Sequence, residues 1–76
     1  MSAADDIPTS ALTERQREVA ALIAEGSTNQ EIADRLGMER HAVSDYVAQI
    51  LWRLGATDRS QVAIWAMRHR LCQPQE

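Results

Sequence analysis

The chain has no lysine, no phenylalanine and a single cysteine, and none of its apolar runs approaches the roughly 18 residues that a membrane span requires. Cys72 alone cannot close an intramolecular disulfide, and a lone thiol fits a reducing cytoplasm. The N-terminus lacks the basic-then-apolar layout of a signal peptide, so a soluble, cytoplasmic protein with no membrane partner is expected. No Ser-His-Asp set, pair of catalytic carboxylates or glycine-rich phosphate loop can be assembled, which argues against an enzyme. His69 and Cys72 have ligand-like spacing, but two ligands without a second pair do not make a structural zinc site. Neither a metal nor a cofactor is expected.

What remains is small and aliphatic. Twelve alanines accompany only three aromatic residues, Tyr46, Trp52 and Trp65, within a hydrophobic content of 45%, a composition that favours closely packed helices. Seventy-six residues allow one domain. A core of that size supplies on the order of 3–5 kcal/mol, so folding as a monomer is expected to be marginal. Eight arginines against eleven acidic residues give a formal charge of −3. That balance runs against nucleic-acid binding, for which a basic face is the usual footprint.

Residues 1–11 are small, polar and acidic and read as a flexible arm or linker, residues 72–76 as a tail, and residues 12–71 as the folded domain. Thr13 with Gln16, Thr28 with Glu31, and Asp58 with Gln61 each form a capping-box pattern, and Leu12 is placed to pack inward as a staple. Gly26, Gly37 and Gly55 supply helix stops. Four short helices follow from these signals. Val19, Leu22 and Ile23 mark the inner stripe of the first, and Ile32, Ala33 and Leu36 that of the second. In the third, about residues 40–54, Val43, Val47, Ile50 and Leu54 fall within about 60° of one another at 100° per residue. His41, Asp45, Ala48, Gln49 and Trp52 therefore face away from the core. On the fourth, Val62, Ala63, Ala66 and Met67 are expected inside, with Ile64 and Trp65 towards the outer side.

A short helix, a tight glycine turn and a longer helix with a polar outer face is the organisation of a helix-turn-helix, although an ordinary helical bundle fits the spacing too. Residue identities go further. Leu12-Thr13-Glu14-Arg15-Gln16-Arg17-Glu18-Val19, the run from Leu22 through Gly26-Ser27-Thr28-Asn29-Gln30-Glu31 to Ala33, Ala42-Val43-Ser44-Asp45-Tyr46-Val47 and Ile50-Leu51-Trp52-Arg53-Leu54-Gly55 strongly resemble the LuxR-type helix-turn-helix family. The resemblance implies an all-α, tetra-helical DNA-binding domain that dimerises through helix four. It implies a place as a free-standing bacterial transcription regulator or as the output domain of a response regulator. The chain departs from the family at two customary lysines, with Ser44 on helix three and Gln30 at the start of helix two.

Candidate DNA contacts follow from both lines of reading. Arg40 and His41 open helix three, where the first turn meets base edges and the helix dipole attracts phosphate. Ser44, Asp45 and Gln49 lie on or beside its polar face, where glutamine can pair with adenine and an acid can accept from cytosine N4. Thr28, Asn29 and Gln30 offer donors to a phosphate, and Arg53 is the strongest phosphate candidate. Ile64, Trp65 and Arg68 are the candidate dimer contacts, and Trp52 a candidate contact for RNA polymerase or another protein. The rival reading is a protein-interaction module that keeps the scaffold with weak or no DNA binding.

Overall fold

The computed structural model describes residues 6–71. Among them are four α-helices and no strand: α1 (Glu14–Ala24), α2 (Asn29–Leu36), α3 (Arg40–Leu54) and α4 (Arg59–Arg68), preceded by a 3-10 turn, Thr9–Ala11. Two of the three expected capping boxes form completely. The Thr13 hydroxyl accepts from the Gln16 N–H at 3.2 Å while the Gln16 carbonyl oxygen accepts from the Thr13 N–H at 2.8 Å. Thr28 and Glu31 repeat the exchange at 3.1 and 2.8 Å. At α4 the Asp58 carboxylate accepts from the Gln61 N–H, but the Gln61 side chain takes the N–H of Thr57, one residue before the reciprocal partner. Leu12 is buried as expected. Its staple is polar, however, because Arg17, four residues into the helix, donates from Nη1 to the carbonyls of Leu12 at 2.7 Å and Thr9 at 3.1 Å.

All four helices close the same way. The N–H groups of Ser27, Met38, Ala56 and Leu71 reach back to the carbonyls of Leu22, Ala33, Leu51 and Ala66, each across a residue of positive φ. Gly37 is the one that matters for the site, since at φ 66° it turns the chain from α2 into α3 within three residues, a backbone that a side chain would strain. At the end of α4 the same position is held by Arg70, at φ 59°.

The core gathers Leu12, Val19, Ala20, Leu22 and Ile23 with Ile32 and Ala33 of α2, Val43, Ile50 and Leu54 of α3, and Val62, Trp65 and Ala66 of α4. Helix α1 packs chiefly on α4, and α2 on α3. The inner stripe of α4 differs from expectation. Trp65 is 1% exposed and Met67 55% exposed, so these two positions exchange the places assigned to them. The cause is the segment before α1. Residues 6–11, expected as a mobile arm, lie on the helices, and the Trp65 indole Nε1 donates to the Ile7 carbonyl at 2.9 Å. Ile7 packs on the core beside it. His69 adds a tilted ring contact to Trp65 at 4.7 Å, and its Nδ1 lies 2.9 Å from the Trp65 carbonyl. A carbonyl only accepts, so that ring nitrogen carries the proton. The other member of the ligand-like pair, Cys72, lies outside the described residues. Among those residues no helix is long and apolar enough to cross a membrane.

Trp65 is the largest fully buried side chain. Trp65→Ala should cost about 3–5 kcal/mol, comparable with the whole stability of a domain this small, whereas Trp65→Phe should cost about 1–2 kcal/mol for the lost indole hydrogen bond and some volume. Urea unfolding followed by circular dichroism checks both; a Trp65→Ala protein as stable as the parent would contradict the placement.

Candidate nucleic-acid interface

The outer side of α3 presents Arg40, His41, Ser44, Asp45, Ala48, Gln49, Trp52 and Arg53, all exposed. Arg40 and Arg53 are thirteen residues apart, or about 20 Å along the helix axis. Tyr46 and Val47 are half-buried and pack on the core, which fixes the rotation of α3 about its own axis and keeps this face turned outward. Neither the Arg40 nor the Asp45 side chain makes a hydrogen bond or ion pair with another described residue. His41 lies 3.3 Å from the Glu39 carboxylate, with both side chains well exposed. Such a pair contributes only tenths of a kcal/mol. With Glu39 and Asp45 against Arg40 and Arg53, the charges of this face balance.

The remaining candidates are tied into the scaffold to different degrees. Thr28 is engaged as the N-cap of α2, through both its hydroxyl and its N–H. Gln30 donates to Asp34 on the next turn at 3.0 Å. Gln49 accepts from the Gln16 amide at 3.0 Å, which links α3 to the start of α1. Its carbonyl oxygen is thus engaged, and its NH2 group has no partner among the described residues. A single donated bond to a base acceptor fits that state better than the two-bond pairing with adenine expected from sequence. Arg53 uses Nε to hold the Ala11 carbonyl at 2.9 Å, which leaves its Nη donors without a partner among the described residues.

One residue of the site was not singled out from sequence. Arg59, the first residue of α4, donates from Nη2 to the Ser27 carbonyl at 2.6 Å and from Nη1 to the Asn29 side-chain oxygen at 2.7 Å. Asn29 in turn donates from Nδ2 to the Ser44 hydroxyl oxygen at 3.3 Å. Three helices meet there. The guanidinium closes the turn between α1 and α2, and through Asn29 it fixes the start of α2 against the first turns of α3. In the sequence Arg59 figures only in the Arg59-Ser60-Gln61 run that resembles the family's start of helix four, and its partners lie too far along the chain to be read from it.

Of the proposed dimer contacts, Ile64 is 47% exposed and Arg68 is exposed as well, while Trp65 is buried beneath Ile7 and is removed from that surface. Met67 joins Ile64 instead, three residues on along the same face.

The chain matches the model of the family described as bacterial regulatory proteins, luxR family, over residues 10–66. It is 40% identical over 65 residues to the transcriptional regulatory protein LiaR of Bacillus subtilis and 37% identical over 67 residues to the DNA-binding transcriptional activator DevR/DosR of Mycobacterium tuberculosis. These alignments cover 86% and 88% of this chain and 31% of each relative. The response regulator protein VraR of Staphylococcus aureus is 44% identical over 62 residues, covering 82% of this chain and 30% of its own. The chain therefore spans about a third of the length of these relatives.

Helix α3 alone among the four begins on a residue, Glu39, that makes no side-chain cap hydrogen bond. Glu39→Ser should supply that cap and raise stability by about 1 kcal/mol, with little offset from the lost contact to His41. Thermal unfolding at neutral pH measures it; a lower melting temperature would mean that the Glu39 carboxylate stabilises the helix end more than a cap does.

Proposed function

The chain belongs to the LuxR family of bacterial regulatory proteins, and from that premise we propose that it is a cytoplasmic transcription regulator, or the DNA-binding output part of one, rather than an enzyme. It binds a two-fold symmetric site on double-stranded DNA as a homodimer, with α3 in the major groove. The observation that carries this reading is the outer face of α3. Arg40 and Asp45 are exposed with no described partner, and the start of α2 is held beside that face through Asn29 and Ser44. In the groove, Arg40, His41, Ser44, Asp45 and Gln49 meet base edges or the phosphates beside them, with Asp45 accepting from a cytosine amino group. Asn29, Gln30 and Arg53 bind phosphates, and Thr28 serves by shaping the end of α2. The dimer forms through α4, with Ile64, Met67 and Arg68 at the contact.

A second reading keeps the scaffold as a protein-interaction module, and two observations favour it. The charges on the α3 face balance, and Trp52 on that same face is 86% exposed. Within the regulator reading Trp52 is the surface offered to RNA polymerase or another protein. Selection of bound fragments from a random DNA library at low salt separates the two readings. Enrichment of a two-fold symmetric sequence supports the regulator; recovery of no preferred sequence at any salt concentration leaves the interaction module.

On the selected site, Arg53→Ala should weaken binding about equally for every single-base variant, because a phosphate contact sets position without reading sequence. Gln49→Ala should lose preference chiefly at one base position, by about 1 kcal/mol, as suits a single donated bond. Titration of a panel of base variants measures both. Identical profiles for the two mutants would show that α3 does not lie in the groove as proposed.

A further inference from the structure

The bonds joining α4, α2 and α3 have a direction. A guanidinium has donors and no acceptor, so Arg59 can only give a proton to Asn29, and the Asn29 oxygen must face it. The amide nitrogen is thereby turned to the other side, where it donates to Ser44 Oγ. Ser44 accepts that bond, and its own hydroxyl proton has no acceptor among the described residues. Each link is a donor to the next, and the last donor stands on the exposed outer side of α3.

We propose that Arg59 is a positioning residue that fixes Ser44 as a hydrogen-bond donor towards DNA, acting through the orientation it imposes on the Asn29 amide. This rests on the regulator reading above and assigns its chemistry at one position. The group recognised is an acceptor on the duplex, either a phosphate oxygen or a purine N7 or keto oxygen on a base edge. A serine alone could rotate its hydroxyl to give or to accept. With Asn29 occupying one of its two lone pairs, giving is the stronger of the roles left to it. Polarisation along the chain from the cation strengthens the terminal donor. The same relay explains how a neutral hydroxyl can stand where the resembling family carries a lysine: it offers a fixed donor in place of a mobile charge.

Asn29→Asp tests the direction while keeping a partner for Arg59. A carboxylate only accepts, so it takes bonds from both Arg59 and the Ser44 hydroxyl and turns the serine proton inward. The probes are the strongest duplex recovered from the fragment selection and a 20-base-pair duplex of random sequence. In the parent protein, Ser44→Ala should weaken binding to the selected duplex by about three- to ten-fold, the scale of one hydrogen bond. In the Asn29→Asp background the same substitution should change binding by less than about 1.5-fold, since the donor is already withdrawn, and the added negative charge cancels from this comparison. Thermal unfolding of each variant confirms that the fold is retained. A Ser44 effect equal on both duplexes identifies a phosphate; one confined to the selected duplex and abolished by 7-deazapurine at one position identifies a base N7. Equal cost of Ser44→Ala in both backgrounds overturns the proposal while leaving DNA binding in place. Failure of the parent protein to bind either duplex overturns both. The Asn29 side-chain amide resonances, recorded without DNA, should shift on Arg59→Lys, and unchanged resonances would break the first link independently.

Discussion

The fold turns on the need of one buried indole for an acceptor. With no phenylalanine in the chain, Trp65 is the only fully buried aromatic ring among the described residues, and its N–H cannot be left unpaired in an interior of alanine, valine, isoleucine and leucine. The acceptor comes from Ile7, outside every helix, and the segment that supplies it is thereby ordered against the domain. Once residues 7–12 lie there, their carbonyls need donors in turn, and Arg17 and Arg53 provide them. Arg53 belongs to α3. The packing of a tryptophan on α4 is thus connected, through four residues of backbone, to the orientation of a side chain on the face proposed to meet DNA.

Much of this architecture was legible in the sequence because it is local. A threonine followed three residues on by glutamine or glutamate, and a glycine at the end of an apolar stripe, specify helix ends within one turn. These signals located α1, α2 and α3 and the outward face of α3. Apart from the Asp58–Gln61 box, which misses its reciprocal bond by one residue, the failures are cases where a distant segment decides. On α4, Val62 and Ala66 define the centre of the stripe, and residues on either flank can complete it. Trp65 lies on one flank and Met67 on the other, and the docking of Ile7 selects the tryptophan. Gln49 looked available because nothing within its helix reaches it; its partner, Gln16, is thirty-three positions away. Arg59 bonds across thirty and thirty-two positions. No pattern of neighbours contains such information.

Arg17 and Arg59 also show how this chain uses its cations. Each is half-buried, and each directs its guanidinium at backbone carbonyls or an amide oxygen rather than at a carboxylate. Five donors on a rigid plane let one side chain close a turn and reach a second element, which a lysine cannot do with a point charge on a flexible stem. The absence of lysine follows the same preference. It leaves the exposed face with few mobile charges.

That allocation has a consequence for the proposed complex. Affinity for arbitrary DNA comes from counterions displaced by cations, at roughly 0.9 unit of salt slope per neutralised phosphate. Asn29, Ser44 and Gln49 displace none, because they are neutral, and Arg40 and Arg53 are offset on the same face by Glu39 and Asp45. Such a face has little to hold it on the wrong sequence. On the right one, as proposed, its oriented donors would each find an acceptor, and Asp45, which would repel phosphates everywhere else, would find a cytosine amino group. Low net charge therefore lowers the non-specific term more than the specific one, and the ratio between them rises even as absolute affinity falls. Two copies joined through α4 would then be needed to restore the affinity, since the second half-site adds its contacts without the full entropy cost of a separate binding event.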